Sequence, residues 1–530
     1  MGTSLLKKIG QLFIIGFAGK TVPYEVKQCI HTYHVGGIIL FSRNIGTPEE
    51  TLALTTELQR EAKRANYEYP LFICVDQENG VVRRLGKGTT ILPGAMMLGA
   101  TNDVKAAYEI GQITGKELKS LGINWNLAPV LDVNNNPNNR VIGVRSFGEC
   151  PEKVSQFGKA MMAGMQSERL MTTLKHFPGH GDTHVDSHVN LPVIPHDIER
   201  LKEVELKPFQ TCMKAGADVI MTAHISFPAL EKKRDVPATV SKAVITGLLR
   251  EELRYKGVVM TDCLEMEAIA SEIGTEQGAM QAIQAGVDLV TISHSFDKQV
   301  RSIQNVYEAV KNGDLTEEVI ERSTNRIRML KETYLQWEDL HRERDDPLTI
   351  VGCKEHREIA RKVYKKGVTI VDEKKMLPIY QNSSGGIAIL ELENDIFTQV
   401  EDQRPSDVSL GKVISTYVRS AETYRSSNML TRCEVSELVN KLKTFDIVMI
   451  GVLTGSSARM LRQLIEQLEN ERVSVIIIAL KSPYVVVDLP RASAYIYTYE
   501  YTYPALTVAI AAVFGKEQVY GQLPIKISIQ

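Results

Sequence analysis

The stretch KHFPGHGDTHVDSHVNLP, Lys175 to Pro192, packs four histidines and two aspartates into eighteen residues. Its glycines and prolines rule out a regular helix, so these titratable groups sit in a loop. Three chemistries are open to them. His180, His184, Asp186 and His188 are all metal-ligand types, but their spacing fits neither the helical H-E-x-x-H pattern nor a cysteine-containing zinc site. A solvated turn is the second reading, and the Gly, Pro, Asp and Ser content supports a loop in any case. The third is an Asp–His dyad: in D-S-H, Asp186 and His188 stand two apart, so both side chains point the same way in extended chain. A carboxylate on one imidazole nitrogen fixes the tautomer and raises the basicity of the other, which equips His188 as a general acid and base. Such a device needs a partner for the covalent or electrostatic work. Asp262, ending the run GVVMTD, is the best available carboxylate.

Positioning these groups calls for a scaffold, and the chain offers a repeating one. Eight short apolar runs recur, at 10–17, 36–41, 71–76, 124–132, 170–176, 218–224, 257–262 and 287–293. Helix-like stretches such as PEETLALTTELQREAKRAN lie between several of them. Strands covered on both faces read this way, nearly continuous in apolar residues. Eight such units over about 300 residues predict a (β/α)8 TIM barrel. Asp76, Asp132, Lys175 with His176, His224 and Asp262 fall at the ends of these runs, where barrel active sites gather.

After residue 300 the pattern changes. A long amphipathic helix and a charged stretch, WEDLHRERDDPL, precede a second α/β pattern. We place the barrel at 1–340, a linker at 341–355 and a smaller α/β sandwich domain at 356–530. The strand candidates of the second domain are GVTIVD, GIAILEL, FDIVMIGV, VSVIIIAL, AYIYTYEY and LPIKISI, and an open, mostly parallel sheet is expected. Neither a G-x-G-x-x-G nor a Walker loop is present, so no nucleotide and no other cofactor is expected.

Composition limits the partners. Lys and Arg total 62 against 64 for Asp and Glu, a net charge of -2 without a basic stripe, which argues against nucleic acid. No window approaches the roughly 20 apolar residues of a membrane span. The seven cysteines form no CxxC pair and read as reduced thiols. The N-terminal apolar run lacks a small-residue cleavage site, so a cytoplasmic protein is expected.

The loop motif KHFPGHGDTHVDSH, with VDQENG (75–80), LAPVLDVNNNP (127–137), IGVRSFG (142–148) and TDCLEM (261–266), resembles glycoside hydrolase family 3, and within it the β-N-acetylglucosaminidase branch. SPYVVVDLP and VFGKEQVYGQLPIKI extend the resemblance weakly into the second domain. The resemblance implies a retaining exo-glycosidase acting on terminal β-linked N-acetylglucosamine. In that reading Asp262 is the nucleophile and His188, polarised by Asp186, is the acid/base on a mobile loop. Asp76, Arg84, Arg145, Lys175 and His176 fall on sugar-binding positions, and no metal takes part. Related β-glucosidases take their acid from a second-domain glutamate, whereas no second-domain residue is assigned to catalysis here. That domain is expected to be structural or to support a homodimer, so the protein is a monomer or a homodimer. Peptidoglycan fragments and chitooligosaccharides are the expected substrates. A β-glucosidase, or a phosphorylase in which phosphate replaces water, are the alternatives. Asn79 and Val81 replace a glycine and an arginine usual in the family, and Cys263 a common aspartate; tuning rather than loss is expected.

Overall fold

The computed structural model describes residues 4–183, 191–340, 347–380, 386–393, 400–401, 408–453 and 458–527. Each of the eight apolar runs contains a strand: β1 (Phe13–Ile15), β2 (Gly37–Leu40), β3 (Phe72–Val75), β4 (Trp125–Asn126), β5 (Met171–Phe177), β6 (Val219–Thr222), β7 (Val258–Cys263) and β8 (Leu289–Ile292). They pair in parallel in chain order and close where β1 meets β8, with Phe13 opposite Val290. The barrel strands are buried throughout, apart from the last two residues of β7. Those two are Asp262 and Cys263, the point at which the strand reaches the open mouth.

The helices begin where their sequence says they should. The helix Pro48–Arg64 carries Thr47 as its cap, which accepts from the Glu50 amide while the Glu50 carboxylate accepts from the Thr47 amide, with proline in the first turn. Leu54, Leu58 and Ala62, at four-residue spacing, form its buried stripe.

The second sheet holds β9 (Thr369–Val371), β10 (Ile387–Glu393), β11 (Glu422–Ser427), β12 (Ile447–Val452), β13 (Ser474–Ala479) and β14 (Ala494–Tyr497), in spatial order β9-β14-β13-β12-β10-β11. Only the β9–β14 pair is antiparallel. One strand expectation needs correcting. LPIKISI forms no strand over its described residues, 523–527; the sixth strand is β11 instead. The terminal segment lies along the barrel, where the Pro524 carbonyl accepts from the Glu149 amide and the Glu149 carboxylate accepts from the Lys526 amide.

Two buried carboxylates join the sheet domain to the barrel. Glu117 accepts from Thr90, from the Gly352 amide at 3.1 Å and from His356 Nδ1 at 2.8 Å. Glu500 accepts from the Gly94 amide at 2.8 Å, Tyr364 Oη at 2.7 Å and Thr502 Oγ1 at 2.9 Å. Truncating Glu500 strands three buried donors from two domains, so Glu500→Ala should cost about 2–4 kcal/mol by denaturant unfolding. A loss under 0.5 kcal/mol would mean that the junction does not depend on this residue.

Candidate active site

The C-terminal ends of the strands surround a cavity of about 510 Å³. Asp76 follows β3, Lys175 and His176 lie in β5, and Asp262 lies in β7. Arg84 comes from the segment after a short hairpin that follows β3, and Arg145 from the turn Gly143–Arg145. All six line this one cavity. Asp186, His188 and His184 lie outside the described residues.

A charged network sits at the floor. Lys175 Nζ contacts Asp76 Oδ1 and Glu78 Oε1, each at 2.6 Å. Glu78 also receives Arg145 through two bonds, from Nε at 2.8 Å and Nη2 at 2.7 Å. Burial opposes ionisation of Glu78, but the adjacent Arg145 and Lys175 hold its carboxyl far below the usual range. The same carboxylates keep Lys175 protonated against its own burial. An ammonium has three donors, and these two contacts leave one for a ligand hydroxyl.

A second chain of bonds orients the histidines. Asp132, fully buried, accepts from His176 Nδ1 at 2.7 Å and from the amides of His176 and His180 at 3.1 and 2.7 Å. That bond places the His176 proton on Nδ1 and turns Nε2 towards Arg145 Nη2, 3.5 Å away. Asn139 accepts from the amides of Val141 and Ile142 and donates to the carbonyls of His180 and Gly181, which ties the arginine-bearing turn to the histidine loop. His180 Nδ1 meets Thr183 Oγ1 at 3.0 Å, so this histidine is part of a buried turn.

Burial lowers the His180 pKa to about 4, so it is neutral at pH 7. The folded state then binds fewer protons than the unfolded one between pH 4 and 6.5. This stabilising contribution is therefore complete above pH 6.5 and is lost as pH falls through that window. His180→Gln should flatten the acid limb of a stability-versus-pH curve by up to about 3 kcal/mol. An unchanged acid limb in the variant would contradict the assignment.

Asp262 Oδ1 accepts from the Cys263 amide at 2.7 Å. His224 bonds Thr239 and the Cys263 carbonyl, which braces the strand end carrying Asp262. Cys263, Glu265 and His294 are the one group of metal-ligand types that converges among the described residues. It suits a cation poorly. Burial pushes the Cys263 thiol up to about 11, and Glu265 already accepts from the His294 and Ser295 amides at the start of a helix. The Arg43 guanidinium, held by the Phe17 and Ser293 carbonyls, adds positive charge beside both Cys263 and Glu265.

Five participants were missed or undervalued in the sequence reading. Glu78 and Arg43 were not singled out, and Asp132 was noted only as a strand end. Val400 and Glu401 of the second domain also line the cavity, with Glu401 paired to Lys481. The departures at 79 and 81 are accommodated. Asn79 adopts a positive φ of 70°, as the glycine it replaces could, and bonds Gln77 and Thr114. Gly80 is required next to it, because a Cβ there would lie 2.7 Å from the Gly94 Cα. Val81 packs partly buried on the core.

Comparison with known proteins agrees with this architecture. The model described as "Glycosyl hydrolase family 3 N terminal domain" matches residues 4–330. Beta-hexosaminidase A of Pseudoalteromonas piscicida is 29% identical over 96% of this chain and 92% of its own. The solved structure of a family 3 beta-N-acetylglucosaminidase from Paenibacillus sp. str. FPU-7 superposes with a TM-score of 0.90 at 35% identity, covering all of both chains. A fungal multi-domain beta-N-acetylglucosaminidase gives 0.91 at 37% identity, over 99% of this chain and 61% of that one. With its barrel matched from end to end, the chain belongs to glycosyl hydrolase family 3.

Proposed function

We propose that the chain is a retaining exo-β-N-acetylglucosaminidase. The observation that carries this reading is that Asp262 lines the same cavity as Asp76, Lys175 and Arg145, which Glu78 ties into one charged network. A half-buried carboxylate at the end of a barrel strand, lining the cavity, is suited to attack a sugar held there. The network is suited to hold ring hydroxyls, since Asp76 accepts hydroxyl protons while Lys175 and Arg145 donate without titrating. Arg84 and His176 complete the sugar-binding wall. The cavity volume falls in the range of small-ligand sites and favours terminal-residue release over binding of a long polymer.

In the first step Asp262 attacks the anomeric carbon, and the glycosidic bond breaks as His188 protonates the departing oxygen. In the second, His188 takes a proton from water, whose oxygen displaces the Asp262 carboxylate and releases the sugar with its configuration retained. Asp186 holds the His188 tautomer. The similarity to enzymes named for β-hexosaminidase and β-N-acetylglucosaminidase activity supports the N-acetyl sugar. Fragments of peptidoglycan or chitin are the natural substrates in this reading. The second domain contributes Val400 and Glu401 to the lining of the cavity.

Release of p-nitrophenol from its β-N-acetylglucosaminide and β-glucoside tests the reading. A preference for the N-acetyl sugar, unaffected by EDTA, with free N-acetylglucosamine as product in phosphate buffer, is expected. Preference for the glucoside, or a sugar phosphate as product, would replace the proposal with one of its two alternatives.

A further inference from the structure

A second cavity, of about 590 Å³, opens at the opposite end of the barrel. Gln11 and His34 precede β1 and β2, and Asn66–Tyr69 precede β3, so its walls are the N-terminal ends of the strands together with the helix Glu317–Tyr334. Nothing in the proposed reaction uses it.

Its unusual feature is Lys331. This side chain is buried, yet among the described residues no carboxylate pairs with it. Its ammonium donates to Gln11 Oε1 at 3.0 Å and lies 4.8 Å from the Phe72 ring centre and 5.9 Å from that of Tyr67. Neutral acceptors and ring faces stabilise a buried ammonium without supplying a counter-charge. Burial accordingly draws the amine down to about 7. The hydrogen bond to Gln11 occupies one of three donors. Around the same cavity stand Lys7, Lys8 and Arg328, against the single lining carboxylate of Glu68. Lys8 and Arg328 are paired outside the lining, with Glu321 and Glu332. Lys7 and Lys331 therefore give the space an excess of positive charge. An anion there would supply the missing counter-charge and restore full protonation of Lys331.

We propose that this cavity binds a small oxyanion, a phosphoryl or carboxylate group, with Lys331 Nζ as its buried partner and Lys7 at its rim. The volume lies within the range of small-molecule sites, and the parallel stack of His34 on Tyr67, 4.6 Å between ring centres, forms a rigid wall.

The test is calorimetric titration of the full chain at low ionic strength with inorganic phosphate and, separately, with acetate. Saturable binding of at least one anion is expected, and the comparison identifies which group the site takes. Lys331→Met should weaken that binding at least tenfold, and Lys7→Glu, on the half-buried rim, at least threefold. Because Lys7→Glu leaves the core untouched, it decides the question even where Lys331→Met repacks. No binding of either anion by the wild-type chain, or wild-type affinity in Lys7→Glu, would overturn the proposal. Neither result bears on glycoside turnover, which the two variants should retain.

Discussion

Asp262→Ala should lower kcat/KM for an aryl β-N-acetylglucosaminide by about 10⁴-fold or more, because the covalent route disappears with its nucleophile. The fold should survive. Asp262 lies half-buried at the mouth of the barrel, outside its packed core, so unfolding free energy should change by less than about 1 kcal/mol. The two readouts together are the test, since a barrel that simply collapsed would lose both. Asp262→Asn keeps the shape and removes the charge. It should be as inactive as the alanine variant, and activity within tenfold of wild type would reassign the nucleophile.

The second large effect is expected at Glu78, which does no chemistry in this account. Its carboxylate carries two bonds from Arg145 and one contact from Lys175, all buried. Glu78→Ala leaves both cations facing each other with Asp76 as the remaining anion. Removing one partner of a buried charge cluster typically costs 3–5 kcal/mol, so a loss of about that size is expected in denaturant unfolding. Activity should fall as well, mainly through KM, since Arg145 and Lys175 lose the geometry needed to grip ring hydroxyls. Glu78→Gln keeps an acceptor and should recover part of the stability but little of the binding. The pH dependence carries a sign of its own. The folded-state pKa of Glu78 is depressed, so its contribution is present above the unfolded value of 4.5 and is lost as pH falls below it. Wild type should therefore show an acid-labile component that both variants lack. Identical acid limbs would remove Glu78 from its role as anchor.

How much of this could be read from the chain depends on where each signal lies. The eight barrel strands were legible because burial on both faces leaves an almost uninterrupted apolar run, as in FICV and LVTI. Of the six residues that line one cavity, Asp76, Lys175, His176 and Asp262 were legible because they end those runs, whereas Arg84 and Arg145 followed only from the family resemblance. Strand β11 was not. Its sequence ETYRSS lies at the sheet edge with most residues exposed or half-buried, so the apolar signal is absent. LPIKISI has the opposite character, an alternating pattern without a sheet to join. Ile525 is buried, but the segment finds its partners on the barrel at Glu149. Glu78 was hidden for a different reason. In DQENG it reads as one more polar loop residue, and its partners stand 67 and 97 positions away in the chain. Only the closed barrel brings them together. Glu401 reaches the cavity from the other domain, which no local pattern can announce.

The central claim is that Asp262 forms a covalent bond to the sugar. Incubation with a fluorinated N-acetylglucosaminyl fluoride, which slows release of the intermediate, followed by peptide mass spectrometry, tests it directly. One sugar per chain, attached to the peptide that contains Asp262 and absent in Asp262→Ala, is the expected result. A sugar attached to any other residue, or an enzyme that stays unlabelled while turning over and yields the inverted anomer, would contradict it.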